Sequence, residues 1–167
     1  EIQSDVNDKV TVKGNTQDNR LDLSSVQDDM IIKGEAGNDT IISGQGNDRL
    51  YGGTGNDVYI FNVESGQDII YENDTTLNNQ DTVIFGTVAE ELVFVRQDND
   101  LVVSHISTED QVMIKDWYLG QAHQVETFKS ADGYTLWQDL KQKREWLGIY
   151  LEKMKRMKLK KYLINFG

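Results

Sequence analysis

Through the first half of the chain, large apolar residues return every nine positions, and the stretches between them are polar and glycine-rich. Three segments in direct succession, residues 34–42, 43–51 and 52–60, share one layout. Each has glycine in fourth place, Asn-Asp in fifth and sixth, and an apolar residue (Ile41, Leu50, Tyr59) in eighth. A fourth, residues 63–71, keeps Gly66, Asp68 and Ile70 after a two-residue insertion, Phe61-Asn62. Weaker copies upstream put Asp29 and Ile31 (residues 24–32), Asn19 and Leu21 (14–22), and Asp8 and Val10 (3–11) in the sixth and eighth places. Downstream, Asp81 and Val83 hold the spacing without the glycine. Repetition at a fixed short period predicts a solenoid, in which places one to six turn and places seven to nine form a short strand with the eighth side chain inward.

From residue 81 the pattern lengthens into alternating strands, at 81–85, 92–96, 101–105, 111–114, 125–130 and 134–137. Asp98-Asn99-Asp100 and Asp132-Gly133 read as hairpin turns between them. From about Asp139 the period becomes helical, with Leu140, Leu147, Tyr150, Leu151, Met154 and Met157 near one face and lysines largely opposite.

The strict copies resemble the RTX, or haemolysin-type, calcium-binding nonapeptide G-G-x-G-x-D-x-U-x of type I-secreted bacterial toxins, proteases, lipases and adhesins. Three contiguous copies in register make the match specific, and the repeats cover about residues 3–84. The run from Asp100 through Val112-Met113-Ile114-Lys115-Asp116-Trp117 to Asp132-Gly133 resembles the region that often follows such repeats and caps the open end of the roll. The resemblance implies an all-β fold: a parallel β-roll over 1–84, an antiparallel β cap over 85–138, and a basic amphipathic helix over 139–167. It also implies several Ca²⁺ ions between stacked turns, two nonapeptides making one coil. Ca²⁺ takes six to eight oxygen ligands, which sixth-place carboxylates and turn carbonyls can supply.

Carried onto this chain, the family's ligand set falls on Asp29, Gly34, Ala36, Gly37, Asp39, Gly44, Gly46, Asp48, Gly53, Gly55, Asp57, Gly66 and Asp68. Asp39 and Asp57 are expected to flank an ion on one edge of the roll. Asp29 with Asp48, and Asp48 with Asp68, are expected to do so on the other. Asn19 lacks the charge, and Asp8 and Asp81 lack the glycines. Metal-free turns of an ordinary meander would leave an aspartate every nine residues unexplained, and stacked carboxylates without a cation would repel.

Composition agrees. The chain has no cysteine and no proline but fourteen glycines, so no disulfide can staple it and metal is the available substitute. Residues 1–139 hold 26 acidic against 8 basic side chains, and residues 140–167 hold 2 against 9. The acidic body excludes nucleic acid as a partner and invites cations. No run approaches the roughly 18 apolar residues of a membrane span. The polar start, Glu1-Ile2-Gln3-Ser4-Asp5, reads as the interior of a longer protein rather than a signal peptide.

No H-E-x-x-H, G-x-S-x-G or G-x-x-x-x-G-K occurs, so no catalytic site is expected in these residues. His105 and His123 are expected on strand faces or the surface, and Trp117 and Trp137 as anchors of the cap. The basic tail has three readings: a secretion signal for a type I exporter, a helix packed on the acidic roll, or a membrane-surface helix. Two functions remain. One is a monomeric, secreted or cell-surface calcium module that folds outside the cell and serves a larger toxin or enzyme. The other is a module binding a glycan or host surface, as in adhesins or polysaccharide-active enzymes.

Overall fold

The structure, a computed structural model, describes residues 2–4 and 9–135. It is all-β, with strands β1 (Ile2–Ser4), β2 (Val10–Lys13), β3 (Arg20–Asp22), β4 (Met30–Ala36), β5 (Thr40–Ile42), β6 (Arg49–Thr54) and β7 (Val58–Phe61). There follow β8 (Gln67–Ile70), β9 (Thr82–Phe85), β10 (Leu92–Gln97), β11 (Asp100–His105), β12 (Gln111–Ile114) and β13 (Thr127–Lys129). Helix among the described residues is limited to three single 3₁₀ turns.

The strands divide between two sheets, ordered β1-β2-β4-β6-β8-β12-β11-β10 and β13-β9-β7-β5-β3. Alternate strands therefore lie in alternate sheets, and each pairs in parallel with the strand one coil away. This is a β-solenoid of about four turns, with β2–β3, β4–β5, β6–β7 and β8–β9 as its coils. The later segment both continues it and closes it. β12 pairs in parallel with β8, and β13 with β9, while β10 and β11 form an antiparallel hairpin beside β12. The hairpin turns at Asp98-Asn99, where Asp98 takes a left-handed φ of 54°.

The core is the stacked eighth places. Parallel register sets Ile32, Leu50, Ile70 and Ile114 in one inward column and Ile41, Tyr59, Val83 and Phe128 in the other. All eight are fully buried. At the first coil the columns thin to Val12 and Leu21, both half-buried. Arg20 and Asp22 of β3 are exposed and pair with each other at 3.1 Å. Trp117 anchors the later segment, buried, with its indole N–H on the Val125 carbonyl.

The upstream register differs from the one that lining up the aspartates gives. Ile32, not Ile31, pairs with Leu50 and points inward, so Met30 rather than Asp29 holds the sixth place. The insertion before it is two residues, Leu23-Ser24, which mirrors Phe61-Asn62 in the later coil; Leu23 and Phe61 are both buried. Burial of that extra apolar side chain fixes where the additional residues go. Likewise Val12, not Val10, pairs with Ile32. Asp8, Trp137 and the basic tail lie outside the described residues.

The columns carry a direct prediction. Ile41→Ala in calcium-saturated protein should cost about 2–5 kcal/mol by urea unfolding. Leu77→Ala, at a side chain 86% exposed, should change the midpoint little. Equal effects would contradict the stacked-core description.

Candidate metal centre

Turns leave each sheet at two edges, and aspartates occupy the last place of a turn because the next residue starts a strand. On one edge the turn N–H of each coil reaches the carboxylate of the coil above. Asn19 N–H donates to Asp39 Oδ1 (2.7 Å), Asp39 N–H to Asp57 Oδ1 (2.8 Å), and Asp57 N–H to Asp81 Oδ1 (2.7 Å). Asp81 N–H then donates to Glu126 Oε2 at 2.8 Å. This edge is a continuous polar column, Asn19–Asp39–Asp57–Asp81–Glu126. On the other edge Met30 N–H donates to Asp48 Oδ1 (2.7 Å) and Asp48 N–H to Asp68 Oδ1 (2.9 Å). That column stops at Val112, which stands opposite Asp68.

The fifth places bond in the opposite sense, each side chain accepting from the coil above. Asn38 N–H donates to Asp18 Oδ1 (2.7 Å), Asn56 N–H to Asn38 Oδ1 (2.8 Å), and Gln80 N–H to Asn56 Oδ1 (2.9 Å). Across the roll Asn47 N–H donates to Asp29 Oδ1 at 2.7 Å and Gln67 N–H to Asn47 Oδ1 at 2.9 Å. Asp29 thus belongs to this outer row. It is half-exposed and paired with Lys9 at 3.2 Å, and the Asn47 N–H holds its carboxyl below the usual range.

The sixth-place aspartates are different in kind. Asp39, Asp48, Asp57, Asp68 and Asp81 are each at most 2% exposed. Oδ2 of Asp39 and of Asp57 is sealed from solvent with no hydrogen-bond partner. Glycine is what lets them lie there. A methyl on Gly34 would overlap Asp39 Oδ2 and the Gly52 carbonyl, and one on Gly52 would overlap Asp57 Oδ2. Gly37 and Gly55 pack turn on turn, the Gly37 carbonyl lying where a Gly55 side chain would start, and both hold left-handed φ values of 112° and 126°. Gly53 lies against the Glu35 carbonyl, and Ala36 stands beside Thr54 in the same pair of strands. On the second edge Gly44 lies against the Val26 carbonyl, and Gly66 against that of Gly46.

Burial pushes these carboxyls upward: Asp57 to about 6, Asp81 to about 7 and Asp68 to about 8, with neighbouring carboxylates adding to the effect. Asp39 and Asp48 are raised too, again by burial first. Glu72, buried beneath Tyr59 and facing Asp81 and Asp57, rises to about 9.

Buried, partly unpaired carboxylates beside carbonyl oxygens are a donor set for a hard cation. Among the described residues no three acidic or histidine side chains converge on one point. An ion between the turns would therefore draw most of its ligands from turn carbonyls, and Ca²⁺ fits such a set. Zinc does not. His105 Nε2 is engaged by Glu91 (3.0 Å) and Thr87 (3.1 Å), and His123 Nδ1 by the Glu72 carbonyl (2.8 Å).

Sequence reading missed Glu126 and Glu72. Glu126-Thr127-Phe128 copies the Asp81-Thr82-Val83 pattern of acid, threonine and inward apolar residue, which was the available signal. Glu72 carried none, since no repeat has an acid there.

Raised carboxyls favour the proton in the folded state, so their contribution to a metal-free fold is present at low pH and lost as pH rises through about 6 to 9. Metal-free protein should consequently show more β signal by circular dichroism at pH 5.5 than at pH 8.5. In calcium the order should reverse, because protons displace the ion. A metal-free β signal that falls on acidification over this window would contradict the assignment.

Comparison with known families agrees with this geometry. The RTX calcium-binding nonapeptide repeat (4 copies) matches residues 31–59, and the haemolysin-type calcium binding protein related domain matches residues 100–139. The first match spans the strict turns and both Asp39–Asp57 and Asp48, and the second spans β11, β12 and β13. The chain carries an RTX repeat region, a calcium-binding β-roll that takes several Ca²⁺ ions over its repeats.

Proposed function

We propose that this module is unfolded in the calcium-poor cytosol and folds on Ca²⁺ after export, serving a larger secreted toxin or enzyme as its folding and secretion element. The observation that carries this reading is the stack of buried sixth-place carboxylates with unpaired Oδ2 atoms on Asp39 and Asp57. Without a cation these charges oppose folding; with one they drive it. At the roughly 10⁻⁴–10⁻³ M affinity of extracellular modules, external calcium fills such sites and cytosolic calcium does not.

In this reading Asp39 with Asp57, and Asp48 with Asp68, flank the ions. Turn carbonyls of Gly34, Ala36, Gly37, Gly53 and Gly55 serve one edge, and those of Gly44, Gly46 and Gly66 the other. Asp81, whose carboxylate accepts the Asp57 N–H just as Asp57 accepts that of Asp39, extends the first row. Asp29 instead clips the outer row to Lys9. Residues 1–84 act as the roll, 85–138 as its cap, and 139–167 as the contact with a type I exporter. Localisation outside the cell follows from that role. No helix among the described residues is long and apolar enough to cross a membrane. The module is structural in kind, and catalysis would belong to another part of the intact protein.

The rival reading, a glycan-binding surface, needs free aromatic faces. The two outward tyrosines of the roll spend theirs on each other. Tyr51 and Tyr71 stack at 4.8 Å and 7°, and Lys33 sits over the remaining side of Tyr51.

Circular dichroism tests the central claim. Chelated protein should give a coil-like spectrum at neutral pH and a β-rich one in millimolar calcium; an unchanged spectrum after thorough chelation would sink it. Each site filled at about 10–100 times its Kd adds ~1.4–2.7 kcal/mol. Asp57→Ala should accordingly raise the calcium midpoint of folding several-fold. A midpoint equal to the parent's would remove Asp57 from the ligand set.

A further inference from the structure

We propose that Glu72, Asp81 and Asn79 hold an additional divalent cation inside the last repeat coil, at a place the nonapeptide pattern does not mark. The inference rests on the calcium reading above and extends it to Glu72 and Asn79, which lie outside the repeat consensus, beside sixth-place Asp81. The column of first places on one sheet runs Gly14, Gly34, Gly52, each glycine lying against a sixth-place side chain of its own turn. One coil on, in the residues just past β8, the chain has Glu72 instead. Its carboxylate enters the core and is 3% exposed.

One Glu72 oxygen accepts the Tyr59 hydroxyl proton, and that hydroxyl in turn accepts the Gly52 N–H at 2.8 Å. The other oxygen, Oε2, is sealed from solvent and has no partner. Asn79 supplies a second sealed and unpartnered oxygen, Oδ1, while its amide N–H₂ donates to Asp81 Oδ2 at 2.8 Å. Asp81 is fully buried beside them. Asp57, Glu72 and Asp81 take part in none of the ion pairs among the described residues. Two buried carboxyls, Glu72 and Asp81, and two orphaned oxygens, Glu72 Oε2 and Asn79 Oδ1, therefore share a region that no basic side chain in those pairs reaches.

The turn itself is longer here. Six residues join Gly52 to Asp57, but ten join Glu72 to Asp81, and the extra length is what brings Asn79 back to Asp81. His123 Nδ1 meets the Glu72 carbonyl at 2.8 Å and ties this turn to the following segment. All the side-chain donors are oxygens, two carboxylates and one amide, which suits Ca²⁺ over softer metals. Carbonyls and water complete the shell.

The test is an ion count. Flow dialysis with Ca²⁺ on the full chain should show one ion fewer bound to Glu72→Gln than to the parent, the remaining ions keeping their affinity. Thermal melts should lose part of the calcium protection in the same variant at concentrations that saturate the parent. An unchanged count with an unchanged melting profile would overturn the site and leave Glu72 as a protonated partner of Tyr59. Should Glu72→Gln fail to fold in calcium, Asn79→Ser decides by the same dialysis. Loss of one ion, or its several-fold weaker binding, supports the site; an unaltered isotherm overturns it. If the parent itself bound no Ca²⁺, the proposed function would fall and not merely this extension of it.

Discussion

Everything in this fold depends on placing carboxylates of successive coils directly above one another inside a low-dielectric edge. Hydrophobic columns can stack with no help, since apolar contact is non-directional and additive. Stacked Asp39, Asp57 and Asp81 cannot, because each is buried and each sees its neighbours' charge. The roll thus couples two opposed columns. The eighth-place side chains draw the coils together, and the sixth-place acids hold them apart until protons or a divalent ion intervene.

The two edges are not equivalent. One keeps polar residues in sixth place through five coils, from Asn19 to Glu126, and so runs across both family segments. The other has only Asp48 and Asp68, closed off by Met30 below and Val112 above. The first edge thereby joins the repeats to the later segment through the same kind of bond used between repeats. A boundary drawn at residue 84, where the repeat pattern ends, falls inside a hydrogen-bonded column, since β12 and β13 lie in the sheets that β8 and β9 began.

Much of this was legible in the sequence, wherever the period was unbroken. Gly37, Gly55, Asp39, Asp48 and Asp57 sit where the nine-residue count puts them, because a turn with left-handed glycines and a strand with one inward residue leave no freedom of register. Errors arose at insertions. Lining up Asp29 with the later aspartates left Lys33 between residues 24–32 and Gly34, whereas the unbroken count back from Gly34 gives 25–33 and puts Met30 in sixth place, with Leu23 buried in the insertion. Glu126 was hidden because its coil is separated from the repeats by the β10–β11 hairpin, which sequence spacing cannot bridge. Glu72 and Asn79 are legible only in three dimensions, as oxygens that burial leaves without partners.

β3 has a consequence of another order. A solenoid built from identical coils is a template for its own copy, since any bare terminal strand offers the register the next coil would use. At three of its four sheet ends this chain breaks that invitation. β1 runs antiparallel on β2, and the hairpin β10–β11 runs antiparallel on β12. In the other sheet the outermost β3 is three residues long and carries exposed, mutually paired Arg20 and Asp22. A second roll docking there would have to bury that ion pair. The cost of doing so works against pairing of another coil on this strand, even at the high concentrations and calcium levels that favour the fold.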